Sequence, residues 1–216
     1  DTTVAAVRAL GEAADPVTVS CITEVCGFDL GFVDVMAQRW DGHLSCLLQL
    51  ADEQAAPAAT AEEWSTLTRA EVSAAPAGRF RGDWDRGLVN AWDRYDPFVG
   101  PAAVPGPARR EVLRTRLWRG QLRELMPMVD EERARLEMWA RSGPIAERNL
   151  TFPIEIGFLR KLLHHDPALR PRTSYTRRQA ATWLRDTRNT LAHREILLPT
   201  EIDAGLTLLD EDRRDR

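Results

Sequence analysis

Apolar residues recur at spacings of three and four through most of this 216-residue chain, and strict alternation is rare. That pattern specifies helices burying one stripe each, so the expected fold is all-α. Residues 2–14 place Val4, Val7, Leu10 and Ala14 on one stripe, with Asp1 or Thr2 as cap. Pro16 ends that helix or opens the next. Val17 to Val25 is apolar enough for a buried helix or a short strand, and Gly27 breaks it. From Leu30 to Leu50, Phe32, Val35, Met36, Trp40, Leu44, Leu47 and Leu48 repeat as helix, bent at Asp41-Gly42. Residues 51–60 read as a connection. Thr60 and Glu63 form a capping box that opens a helix through Ala74, followed by a loop at Pro76–Gly78. Trp84, Leu88, Val89 and Trp92 return to helical spacing, the tryptophans as core anchors.

Residues 97–107 hold four prolines and two glycines, the strongest boundary signal in the chain. Beyond it, helices are expected at 108–125, 129–141, about 152–165, about 176–196 and from Thr200 onward, ending in a frayed Arg/Asp tail. A helical region at 1–96 thus precedes a linker at 97–107 and a four- or five-helix bundle at 108–216. The start at Asp1 rather than Met is read as a processed product or a fragment.

Charge divides along the same line. Residues 1–106 carry 7 basic and 16 acidic side chains, while residues 107–216 carry 22 and 17. The second half is the one that attracts a polyanion. Lys161 is the only lysine, and with the abundance of alanine this points by codon usage to a GC-rich bacterial genome. No run of residues has the length and apolarity of a membrane span, and no basic-then-apolar leader opens the chain, so a cytoplasmic location is expected. Cys21, Cys26 and Cys46 are too few and too odd in number for a disulfide framework. They read as core thiols, with a zinc site of Cys21, Cys26, His43 and Cys46 as the sharper alternative.

Chemistry concentrates in one stretch, Trp183-Leu184-Arg185-Asp186-Thr187-Arg188-Asn189-Thr190-Leu191-Ala192-His193-Arg194. Arginine carries a permanent planar cation suited to phosphate, and histidine moves its proton near neutral pH. Arg188-Asn189-Thr190-Leu191-Ala192-His193 resembles the R-N-x-x-x-H signature of the HEPN superfamily. The resemblance implies a helical bundle, often a metal-independent ribonuclease, with its site commonly built at a dimer interface. In the roles so implied, His193 is the acid/base, Arg188 the phosphate clamp and Asn189 an orienting donor. No metal or cofactor is needed. The implied partners are RNA, a second copy of the chain through the motif helix, and an antitoxin or upstream sensor, with no membrane.

Helical geometry adds a constraint. Asp186, Asn189 and His193 share a stripe, and Asp186 is a candidate to orient His193. Arg188 points about 140° away from His193 on an ideal helix, so a bend, the long arginine arm or a second protomer must bring the two together. His164, His165, Arg170, Arg172, Arg177 and Arg178 surround the loop entering this helix and are candidate RNA contacts, with a solvated basic loop as the alternative. No glycine-rich phosphate loop, Gly-x-Ser-x-Gly elbow or His-Glu-x-x-His occurs, which removes the main support for ATPase, serine-hydrolase and zincin readings. The rival from another class is a non-catalytic helical interaction or oligomerisation module of a larger regulatory assembly.

Overall fold

The computed structural model describes residues 2–11, 13–55, 89–91, 97–104, 106–143, 145 and 152–214. The fold is all-α. Eight helices are described: α1 (Thr2–Leu10), α2 (Pro16–Cys26), α3 (Leu30–Arg39), α4 (Leu44–Glu53), α5 (Gly106–Arg141), α6 (Ile156–His165), α7 (Tyr175–Ala192) and α8 (Pro199–Arg214). The described exception is one antiparallel pair, β1 (Val89–Ala91) and β2 (Pro97–Val99), in register Val89 to Val99. Val89, expected on a helix with Leu88 and the tryptophans, is therefore in a strand. The helix expected from Thr60, the loop at 76–78, and Trp84, Leu88 and Trp92 lie outside the described residues. No described helix is long and apolar enough to cross a membrane.

The chain forms two compact units, Asp1–Gln121 and Leu122–Arg216. Their division falls inside α5 rather than at 97–107. In that stretch Pro101–Ala103 is a turn of 3-10 helix, residues 100–104 are buried, and the turn packs on α4. Prolines here end a hairpin and open a helix instead of marking a free linker. The two helices expected at 108–125 and 129–141 are likewise one, α5, with Pro127 inside it. An internal proline costs about 3 kcal/mol, but Leu125 and Val129 on either side are buried, and burying them offsets that loss.

In the first unit, Asp15 caps α2 by accepting from the Thr18 amide at 2.8 Å, Pro16 stands in its first turn, and Gly27 at φ 56° terminates it. The ambiguous 17–25 stretch is thus helix, with Val17, Cys21, Ile22 and Val25 buried. The bend expected at Asp41-Gly42 is a full break between α3 and α4, Gly42 taking φ 87°. The inward face of α1 is not the predicted one. Thr2 and Ala6 are buried, while Val4 is 56 % exposed. Close packing on α2 and α3 selects the small side chains, and the Thr2 hydroxyl donates to the Gly27 carbonyl.

The four candidate zinc ligands do not converge. Cys21 Sγ lies 3.8 Å from the Leu117 carbonyl, Cys26 Sγ 3.5 Å from Met36 Sδ and Cys46 Sγ 3.5 Å from the Arg39 carbonyl. Among the described residues no three His, Cys, Asp or Glu side chains group as metal ligands. Burial raises the Cys26 thiol well above its ordinary range.

Gly120 of α5 is required by its neighbour. A Cβ there would stand 2.6 Å from Cys21 Cα and 2.8 Å from Cys21 N, both backbone atoms of α2. Gly120→Ala should cost about 1–3 kcal/mol through overpacking, despite alanine's advantage of roughly 1 kcal/mol in a helix. A urea midpoint that stays put or rises would refute this.

The second unit contains the rest of α5 and helices α6, α7 and α8. Its core joins Leu136 and Ala140 of α5, Leu159 and Leu163 of α6, Ala180, Ala181 and Leu184 of α7, and Leu209 of α8. The tail expected to fray is helical to Arg214.

Candidate functional site

Helix α7 carries the motif. Ser174 caps it by accepting from the Arg177 amide at 3.1 Å. Arg177, Ala180, Ala181, Leu184, Thr187 and Leu191, spaced by one, three and four, form its buried face. Two successive alanines let neighbours approach closely, and α7 packs against α6 and α8. The Trp183 indole N–H donates to the Glu201 carbonyl at 2.9 Å, and its ring lies where a Cβ on Gly205 would project.

The helix ends at Ala192, short of the expected 196, so His193 is its C-cap rather than an interior residue. The Arg194 amide donates to the Leu191 carbonyl at 3.1 Å and the Glu195 amide to the Thr190 carbonyl at 3.0 Å. This paired pattern places the following residue in the left-handed region, usually as glycine; here Arg194 holds φ 59°. Arg194→Gly should remove that strain and raise stability by about 1 kcal/mol. A melting temperature that is unchanged or lower would argue against it.

Asp186, Asn189 and His193 are all exposed, along the stripe predicted for them. Among the described residues the side chains of Asn189 and His193 have no hydrogen-bond or ion-pair partner. Asp186 does not serve His193; its Oδ1 accepts from Arg185 Nε at 2.7 Å. The expected orienting role fails because the adjacent arginine reaches the carboxylate first. Arg188 is half-buried and turns toward α6, where its Nη1 donates to Glu155 Oε1 at 3.2 Å.

Glu155 was not legible as part of the site. It caps α6, Oε2 accepting from the Gly157 and Phe158 amides at 2.7 and 3.2 Å, while Oε1 takes Arg188. A glutamate ahead of an apolar helix signals a cap, but nothing local in the chain indicates an arginine arriving from α7.

The candidate RNA-contact residues separate. Arg177, expected to contact RNA, is instead buried. It is 6 % exposed, its Nε stands 2.8 Å from Asp212 Oδ1, and its guanidinium lies 4.4 Å over the Trp139 ring. It is a core residue, held where no polyanion reaches. Arg178 is partly exposed and donates to the Thr173 carbonyl at 2.6 Å. Arg170 and Arg172 are exposed on a short 3-10 turn. His164 Nε2 lies 3.2 Å from both the Arg178 carbonyl and Thr182 Oγ1. Burial lowers the His164 pKa below its ordinary value; the Arg178 carbonyl opposes this, and the charges of Arg160, Arg178 and His165 add to it.

In comparisons with family models, curated proteins and solved structures, none matches the chain.

Proposed function

We propose that the second unit is a HEPN-like RNA-binding domain acting as a metal-independent endoribonuclease, a cytoplasmic effector of a bacterial toxin–antitoxin or phage-defence system. The observation that carries this reading is the end of α7, where, among the described residues, Asn189 and His193 are exposed and uncommitted and Arg188 meets one carboxylate, in a surface ion pair. A pair of that kind contributes about 0–1 kcal/mol, so an RNA phosphate can displace Glu155 at little cost.

In the proposed reaction the ribose 2′-oxygen attacks the adjacent phosphorus, forming a 2′,3′-cyclic phosphate as the P–O5′ bond breaks. A base removes the 2′-hydroxyl proton and an acid protonates the departing 5′-oxygen. His193 supplies one of these transfers, Arg188 stabilises charge on the phosphoryl oxygens, and Asn189 donates a hydrogen bond to the phosphate. Arg188 faces α6 and His193 sits at the exposed cap, so the reading includes a homodimer in which a second copy of α7 completes each site.

The test is RNA incubated with the purified chain in EDTA. Cleavage leaving 2′,3′-cyclic phosphate ends is expected, with Arg188→Ala and His193→Ala both deficient. RNA left intact at every protein concentration would sink the catalytic reading. Binding without cleavage would favour the interaction module, and a strictly monomeric mass in solution would remove the shared site.

A further inference from the structure

The cations of the second unit fall into two populations. Arg133, Arg135, Arg141, Arg177, Arg188 and Arg213 each meet a carboxylate. Arg160, Lys161, Arg170, Arg172 and Arg178 meet none among the described residues. Residues 156–182 contain six Lys or Arg and a single acid, Asp166. The Asp166 Oδ1 is occupied by the Ala168 and Leu169 amides at 2.9 and 3.2 Å.

Two of these cations, Arg160 and Arg178, lie near His164 where α6 meets α7. Arg160 and His164 are four residues apart and share a face of α6. His164 is pinned to α7 through the Arg178 carbonyl and Thr182 Oγ1, and Thr182 Oγ1 itself donates to that carbonyl at 3.0 Å. Both neighbours therefore accept from the ring, which places the proton on Nε2 and leaves Nδ1 free for a second one. Arg160 Nε is shut away from solvent with no partner among the described residues. Among the described residues, positive charge is thus assembled here without the carboxylates that accompany it elsewhere in the unit.

The position relates this cluster to the motif. Arg178, Thr182, Arg185, Asn189 and His193 follow one another by four, three, four and four residues, a single stripe along α7. From Arg178 to His193 the stripe runs about 22 Å at 1.5 Å per residue. We propose that Arg160, His164 and Arg178 form a second backbone-phosphate subsite, which holds an extended RNA strand along α7 so that another of its phosphates lies at Asn189 and His193. This inference rests on the RNA reading of the motif. A phosphate there would favour the charged imidazole, giving Nδ1 a proton to donate.

The experiment uses 2′-O-methyl RNA, which lacks the 2′-hydroxyl nucleophile and so stays intact. Fluorescence anisotropy would compare a decanucleotide, long enough to reach both positions, with a dinucleotide, which is not. Arg160→Gln and Arg178→Gln should each weaken decanucleotide binding roughly fivefold at about 0.1 M salt, and each lower the salt slope by about 0.7. Dinucleotide binding should not change. Arg160→Lys should keep most of the affinity, separating loss of charge from loss of packing, and thermal melts would exclude variants that do not fold. In the wild type, NMR titration of His164 should move upward in pH with the decanucleotide and stay put with the dinucleotide. Decanucleotide binding equal in wild type and folded variants, or an unmoved His164 titration in its presence, would overturn the subsite. RNA cleavage surviving in those same variants would then leave the ribonuclease reading standing. A wild-type chain that neither binds the decanucleotide at low salt nor cleaves RNA would overturn both.

Discussion

Asp212→Ala is expected to cost about 3–5 kcal/mol of folding stability, because it leaves buried arginines without their anion. Asp212 is completely buried near the end of α8. Its Oδ2 lies 2.5 Å from the guanidinium of Arg135 on α5, and its Oδ1 lies 2.8 Å from Arg177 Nε on α7. Glu132 extends the network, accepting from Arg135 Nε at 2.5 Å and from Arg213 at 2.6 Å. Three helices are thereby joined through one carboxylate. Removing it strands Arg177 against Trp139 and half-strands Arg135, whose remaining partner is Glu132. Desolvated cations without partners carry the penalty that makes such losses large. Asp212→Asn keeps the shape and a single acceptor, and should cost less than alanine. Urea denaturation followed by circular dichroism measures both; a loss below about 1 kcal/mol for alanine would show that the network is not a determinant of stability.

His193→Ala should lower the rate of RNA cleavage by about 10²–10⁴, the range of a general acid or base. Arg188→Ala should lower it by about 10²–10³, the range for one group stabilising developing charge. Both side chains are at least partly exposed, so neither change should unfold the chain, and melting temperatures close to wild type are part of the prediction. Mixing the two dead variants tests the shared site. If each site takes Arg188 from one protomer and His193 from the other, every mixed dimer holds one intact site of two. An equal mixture should then recover up to about a quarter of wild-type activity. No recovery, with subunit exchange verified, would place both groups within one protomer and remove the role given to the dimer.

How much of this could be read from the chain alone differs between features. Helices α1, α6, α7 and α8 follow from spacing, caps and punctuation, because those signals act between residues three or four apart; the apolar 17–25 run of α2 fits helix or strand equally until its packing is seen. The exposed stripe of Asp186, Asn189 and His193 follows from the same periodicity. The continuity of α5 through Pro127 does not, since proline's local preference is to break a helix and only burial on both sides of it reverses that outcome. Nor does the face that α1 turns inward, where close packing prefers Thr2 and Ala6 to the larger Val4 and Val7.

Charged residues divide in the same way. Composition alone placed excess positive charge in the second half of the chain, and helical periodicity alone kept Arg188 away from the stripe of His193. Which arginine turns inward was open. Arg177 and Arg178 are adjacent in the chain, yet one is sealed against Asp212 and Trp139 while the other stays partly exposed beside His164. Asp212 looks like part of a frayed Arg/Asp tail until Arg135, 77 positions earlier, is found against it. A helix is decided by contacts within a turn or two. The partner of a charge is decided by which helices pack together, and that information is spread over the whole unit.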